Sequence, residues 1–186
     1  MDFALAGGTA LALYLGHRRS VVFDWFTKKR IADVVKMAKT IQDHGIPLVV
    51  RQIDRDTLVG SVSGVRTAFY EYRYPILRSP VRLTSHGSML ASPEDIACMK
   101  ISAVAQRGAR KDFVDVFALL KFGMPLESIL SLYRRKYAVT EIFHLLRSLV
   151  YFDVAESERM PRMLLNVTWS AVKSTLRREV QRLAAG

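Results

Sequence analysis

A single cysteine, Cys98, stands among the 186 residues, so no disulfide can form within the chain, and a reducing, cytoplasmic compartment is expected. Long apolar runs are missing too. The most apolar stretch, Phe3 to Leu15, is too short to cross a bilayer. It also follows Asp2 rather than the basic segment that opens a secretory signal, so neither export nor a membrane partner is expected. The four histidines, His17, His44, His86 and His144, are scattered and give no zinc-ligand spacing. No internal repeat, low-complexity segment or linker breaks the chain. Acidic residues are scarce: 17 Asp and Glu face 28 Lys and Arg, a net charge of +11. That balance points to a polyanionic partner, namely nucleic acid, a nucleotide or an acidic protein. Its plain alternative is a basic surface kept for solubility.

Half of the residues are apolar, enough to bury one good core or two small lobes sharing a cleft. The chain is organised around Leu5 to Thr27, LAGGTALALYLGHRRSVVFDWFT. An apolar approach leads to a Gly7-Gly8-Thr9 turn, a short helix over Ala10 to Leu15, the basic loop Gly16-His17-Arg18-Arg19-Ser20, and a β-like run, Val21 to Phe23, carrying Asp24. Adjacent glycines let a ligand approach the backbone closely. Where they open a helix, its free N–H groups and dipole suit a phosphate. An acid on a facing strand end suits the Mg²⁺ that accompanies a nucleoside triphosphate. Each feature has an ordinary alternative: a tight turn for the glycines, a strand-end cap for Asp24.

From Thr27 the pattern becomes helical, with Thr27 as cap of a helix over 28–44, Gly45 as its stop, and Ile31, Val34, Val35, Ala38 and Ile41 as its apolar stripe. Strands are expected over 47–54, 58–62 and 65–74, with a hairpin turn at Ser63-Gly64, as an antiparallel extension of the first strand. Glu71, flanked by Tyr70 and Tyr72, reads as a surface residue on an edge strand. After a loop with a short strand at 81–83, Ser92, Pro93, Glu94 and Asp95 spell a helix start, and Gly108 its end.

The next helix opens near Arg110 with Lys111-Asp112-Phe113-Val114-Asp115. Asp112 and Asp115 are three apart and share a face. Asp115 falls at the apolar edge, where an ion needs a partner or a task. Lys100, Lys111, Arg107 and Arg110 are its candidate partners, and an ion pair pinning two helices is the structural alternative. Beyond Lys121 the chain is helical over 126–135, 140–150 and 169–183, and Arg134-Arg135-Lys136 beside Tyr137 is a candidate RNA contact, or simply a cation-decorated helix end.

LAGGTALAL, GHRRS and FDWFT together resemble the opening of the AbiEii/AbiGii toxin family of nucleotidyltransferases, in its short single-domain form. ASPEDIACMKISAVAQRGARKDFVDVFALL resembles the family's second motif region, including Lys-Asp-x-x-Asp, and KYAVTEIFHLLRSLVYFDVAESERMPRML its C-terminal lobe. The resemblance departs at Val22, which stands where the first Asp of the family's Asp-x-Asp pair belongs. It implies an α/β (α+β) nucleotidyltransferase fold, a small mixed-sheet lobe over 1–90 and a helical lobe over 91–186 packed as one compact unit. It implies catalytic roles for Asp24, Lys100, Asp112 and Asp115, nucleotide contacts from Gly7, Gly8, Thr9, Arg18, Ser20 and Lys111, and Asp24 as metal ligand. The implied activity is transfer of a nucleoside monophosphate from an NTP, with Mg²⁺ or Mn²⁺, to a hydroxyl on tRNA or protein, as a toxin opposed by an antitoxin. The alternative is a catalytically degenerate relative that binds nucleotide or RNA without transfer.

Overall fold

The protein is described here by a computed structural model covering residues 2–84 and 87–185; His86 lies outside the described residues. The fold is mixed α+β, and the chain divides into two compact units. One comprises Met1–Ala10, Ser20–Tyr74 and Pro80–Ala91 and holds the sheet. The other comprises Leu11–Arg19, Pro75–Ser79 and Ser92–Gly186 and is helical.

Seven strands form one mixed sheet: β1 (Ala4–Ala6), β2 (Phe23–Thr27), β3 (Leu48–Asp54), β4 (Thr57–Val62), β5 (Val65–Glu71), β6 (Val81–Leu83) and β7 (Ser88–Leu90). Their order is β3-β4-β5-β2-β1-β7-β6. β3, β4 and β5 are an antiparallel meander, and Ser63 and Gly64 at its second turn both take positive φ, the conformation a two-residue hairpin turn demands. The meander joins β2 in parallel, not antiparallel as expected, because the chain crosses over through a helix between them. That helix, α2 (Val34–Asp43), is shorter than its sequence suggests. Asp33 caps it, accepting from the Lys36 N–H, whereas Thr27 ends β2 and its hydroxyl accepts from the Lys29 N–H. Ile31 still reaches the core, with Val34, Ala38, Leu48 and Leu58, while Val35 is exposed.

Register fixes which side chains share a face. Trp25 pairs with Leu5 and Phe69, and Phe69 with Leu58, so these look toward the α2 core. Asp24 pairs with Ala6 and Ala68 and faces the opposite way. Glu71 pairs with Thr27, on the face away from Asp24. It is not an edge residue as expected: β5 lies inside the sheet, and the Glu71 carboxylate accepts the Ile31 N–H at 3.0 Å.

The helical unit contains α3 (Pro93–Arg107), α4 (Arg110–Lys121), α5 (Leu126–Tyr137), α6 (Phe143–Leu149), α7 (Asp153–Glu156) and α8 (Trp169–Ala184). α3 packs on α4, α5 and α6, and α8 on α4 and α6. α3 begins and ends where the sequence indicates: the Ser92 hydroxyl accepts the Asp95 N–H, and Gly108 takes the left-handed conformation. Cys98 is buried on this helix, and burial pushes its thiol up to about 12, so it is an inert core residue rather than a nucleophile. Among the described residues no helix is long and apolar enough to cross a membrane.

Lys136, expected on a basic surface cluster, is instead buried, because its ammonium meets Asp95 and donates to the Pro75 carbonyl at 2.6 Å. Asp95 also accepts from Ser92 and from the Leu77 and Arg78 N–H groups. Burial pushes the Asp95 carboxyl up, but Lys136, Ser92 and the Leu77 N–H outweigh it and hold it below the ordinary value. Asp95→Ala therefore leaves a buried ammonium uncompensated. Urea unfolding is expected to show a loss of about 3–5 kcal/mol, against well under 1 kcal/mol for a change at an exposed ion pair such as Arg78–Glu94.

Candidate functional site

Two groups of the expected residues take shape, one in each unit. In the sheet unit, β1 runs directly into α1 (Gly7–Leu15), whose first residues sit beside β2. Gly7 has φ +63°, and a Cβ there would lie 2.7 Å from Asp24 Oδ2. Both its conformation and the carboxylate packed against it therefore require glycine. The first turn of α1 has no acidic residue of its own, so Asp24 supplies the negative charge that the helix N-terminus favours. Thr9 is buried; its hydroxyl donates to Ser20 Oγ at 2.8 Å and contacts the Val22 carbonyl. Gly7, Gly8, Thr9, Ser20 and Asp24 thus form one local cluster around the start of α1.

In the helical unit, Asp112 and Asp115 on α4 are completely buried, at 0% exposure. Asp115 accepts from Arg18 Nε at 2.6 Å and Nη2 at 2.8 Å, a two-toothed pairing, and lies 2.8 Å from His17 Nε2 and 2.6 Å from Lys100 Nζ. Asp112 accepts from Lys100 Nζ at 3.0 Å and from Arg107 Nε and Nη2 at 2.7 and 3.0 Å. Lys100 bridges both carboxylates and is itself buried. Burial acts to raise both carboxyls. Lys100, Arg18 and His17 more than offset it at Asp115, and Arg107 and Lys100 at Asp112, so both stay ionised well below the ordinary range.

The loop carrying His17 and Arg18 is tied down by a β-bridge between Arg18 and Met163 and by the Arg19 N–H bonding the Arg162 carbonyl at 2.8 Å. His17 Nδ1 and the Tyr14 hydroxyl are buried without a hydrogen-bond partner among the described residues. Of the four cations the sequence offered to Asp115, Lys100 takes it. Arg107 binds Asp112, Arg110 turns to the Ala155 carbonyl, Glu156 and Glu158, and Lys111 is exposed on α4. No local signal could have disclosed that His17 and Arg18 complete the cluster, because they lie 98 and 97 residues away in sequence.

A divalent ion fits this chain poorly. Asp24 is flanked across the sheet by Ala6 and Ala68, and the Val22 side chain has no ligating atom. Asp112 and Asp115 are already matched by cations. Among the described residues no group of three or more His, Cys, Asp or Glu side chains stands together to hold a metal ion. A site of two ions bracketed by carboxylates is not built here.

A family model, the nucleotidyl transferase AbiEii toxin of type IV toxin–antitoxin systems, matches residues 72–182, which include Lys100 and the Lys111–Asp115 motif. The chain belongs to the AbiEii family. An uncharacterised Aquifex aeolicus protein is 37% identical over 182 residues, 97% of this AbiEii chain and 87% of its own. Two solved structures share the fold. The nucleotidyltransferase toxin MenT4 of Mycobacterium tuberculosis superposes with a TM-score of 0.63 at 14% identity, over 98% of this chain and 75% of that one. JHP933 of Helicobacter pylori gives 0.54 at 15% identity, over 100% and 86%.

Two outcomes are expected. Because both aspartates titrate lower in the folded than in the unfolded chain, the unfolded chain binds more protons as pH falls through the ordinary carboxylate value of about 3.9. Stability is therefore full above about pH 5 and lost progressively below it. Urea midpoints from pH 7 to pH 2 should show this fall, and Asp115→Asn should lower the midpoint at pH 7 and flatten the acid slope. Gly7→Ala should strain the positive-φ position and push Asp24 aside, which a lowered urea midpoint at pH 7 should report.

Proposed function

We propose that this AbiEii-family chain binds a nucleoside triphosphate with its phosphates at the Gly7-Gly8 turn and transfers the nucleoside monophosphate to a hydroxyl of tRNA or protein. The observation that carries this is the Asp24 carboxylate packed on Gly7 at the start of α1. It puts the one acid of the FDWFT strand at the turn whose N–H groups suit a phosphate. In the reaction the acceptor oxygen bonds to the α-phosphorus, the bond to the pyrophosphate leaving group breaks, and the hydroxyl proton is released. Thr9 and Ser20 hold the turn against the chain that leads into β2. Asp24 is placed to orient what binds there.

Lys100, Asp112 and Asp115 act differently in this proposal from what their motif implies. Buried and mutually paired, they are positioning residues that fix the loop bearing His17 and Arg18, and Lys111 is the exposed cation of the motif. The family membership supports a toxin-like role opposed by an antitoxin, and the single cysteine fits a cytoplasmic setting. No step is assigned to Mg²⁺ or Mn²⁺, since the carboxylates present do not bracket an ion.

Nucleotide binding without transfer is the competing function, favoured specifically by Val22, Ala6 and Ala68 around Asp24. Incubation with each α-labelled NTP, Mg²⁺ or Mn²⁺ and total tRNA separates the two. Transfer predicts label in tRNA or protein that Asp24→Ala abolishes and Val22→Asp increases at least tenfold. Absence of label from the native chain, with NTP binding retained and label appearing only in Val22→Asp, establishes the binding protein instead.

A further inference from the structure

The excess charge is unevenly distributed. The helical unit carries 18 Lys and Arg against 10 Asp and Glu, so it supplies +8 of the total +11. In the stretch expected from sequence to contact RNA, Lys136 is buried on Asp95, and only Arg134 and Arg135 stay exposed, with Arg134 Nε hydrogen-bonded to the Thr140 carbonyl. A different surface of the same unit has the required features. A groove of about 750 Å³ runs between the C-terminal end of α3 and α6, lined among others by Arg107, Phe143, His144, Arg147, Tyr151 and Val154. Phe143 and Tyr151 are 68% and 61% exposed. Neither ring enters an aromatic pair among the described residues, whereas Phe113, Phe152 and Trp169 nearby in sequence form a packed ring cluster. Two exposed rings lining one groove offer flat apolar faces on which a base can stack.

We infer that this groove docks single-stranded RNA, with bases stacked on Phe143 and Tyr151 and the backbone run along Arg147, His144 and the outer edge of Arg107. Rings supply base stacking without sequence preference, and exposed cations beside them suit the phosphates of an unpaired strand. His144 and Arg147 are exposed on α6. The choice of RNA over DNA rests on the proposed acceptor; the groove itself does not depend on transfer taking place.

The test is fluorescence anisotropy of the full chain with a fluorescein-labelled oligouridylate of about ten nucleotides, within the roughly 4–16 nucleotides of one single-strand site. The same-length oligothymidylate and an RNA duplex serve as competitors. Phe143→Ala and Tyr151→Ala should each weaken binding about 5- to 150-fold, the range that ring stacking provides per base. Arg147→Ala should weaken it and lower the salt slope by about 0.7. The duplex should compete poorly. Melting temperature and binding of a fluorescent ATP analogue should be unchanged in all three variants, since none of these side chains belongs to the Asp24 or Asp115 clusters. Absence of binding by the native chain, or undiminished binding by both ring variants, overturns the groove. Loss of nucleotidyl transfer with ring-dependent RNA binding intact overturns the transfer proposal alone.

Discussion

Two carboxylates with no access to water dictate much of the helical unit. An ionised side chain at 0% exposure is tolerated only where cations and hydrogen bonds replace its hydration. Asp115 obtains them from His17, Arg18 and Lys100, and Asp112 from Lys100 and Arg107. The spacing of the motif follows from this. Three residues on one helix put both carboxylates within reach of a single lysine on α3, and only Arg18, with its fixed fork of donors, satisfies both oxygens of Asp115 at once. Replacing Lys100 by arginine or Arg18 by lysine would keep the charge and lose the geometry. A sequence motif that resembles catalytic machinery therefore has, in this chain, a complete structural explanation of its own.

The sheet unit shows the converse. There the conformational constraint is strong, with a positive-φ glycine packed against a carboxylate, but the acidic neighbourhood is thin. Ala6 and Ala68 occupy the two positions from which a second carboxylate could meet Asp24 across the strands, and Glu71 is on the other face of β5. Among the described residues, the glycine turn and its carboxylate stand there without a second acid beside them across the strands.

How far these features could be anticipated depended on whether their causes are local. The limits of α3 are written in Ser92-Pro93 and Gly108, and the meander in Ser63-Gly64, because capping and turn chemistry act over a few residues. The start of α2 is ambiguous in sequence because Thr27 and Asp33 are both good caps, and only packing of the sheet makes Thr27 a strand residue. The parallel join of β2 to β5 has no local signature at all. The grouping of Gly7, Gly8, Thr9, Ser20 and Asp24 was legible since all fall within 18 residues of chain. Charge was misleading in both directions: Lys136 looks solvated and is buried, while Asp115 looks marginal and is wholly enclosed. Amphipathic patterns locate a helix face but do not say which distant cation will arrive there.

The separation of Arg18 from Asp115 also has a consequence for biosynthesis. The two lie 97 residues apart, so the guanidinium is made long before its carboxylates. At translation rates of about 5–20 residues per second, the N-terminal loop waits roughly 5–20 s for α4 to be polymerised, and longer for α4 to clear the ribosome. Throughout that interval the helical unit cannot close around its charges. A truncated or stalled chain that ends before α4 lacks Asp112 and Asp115, so it cannot assemble the buried pairing of Arg18 and Lys100 that closes the helical unit.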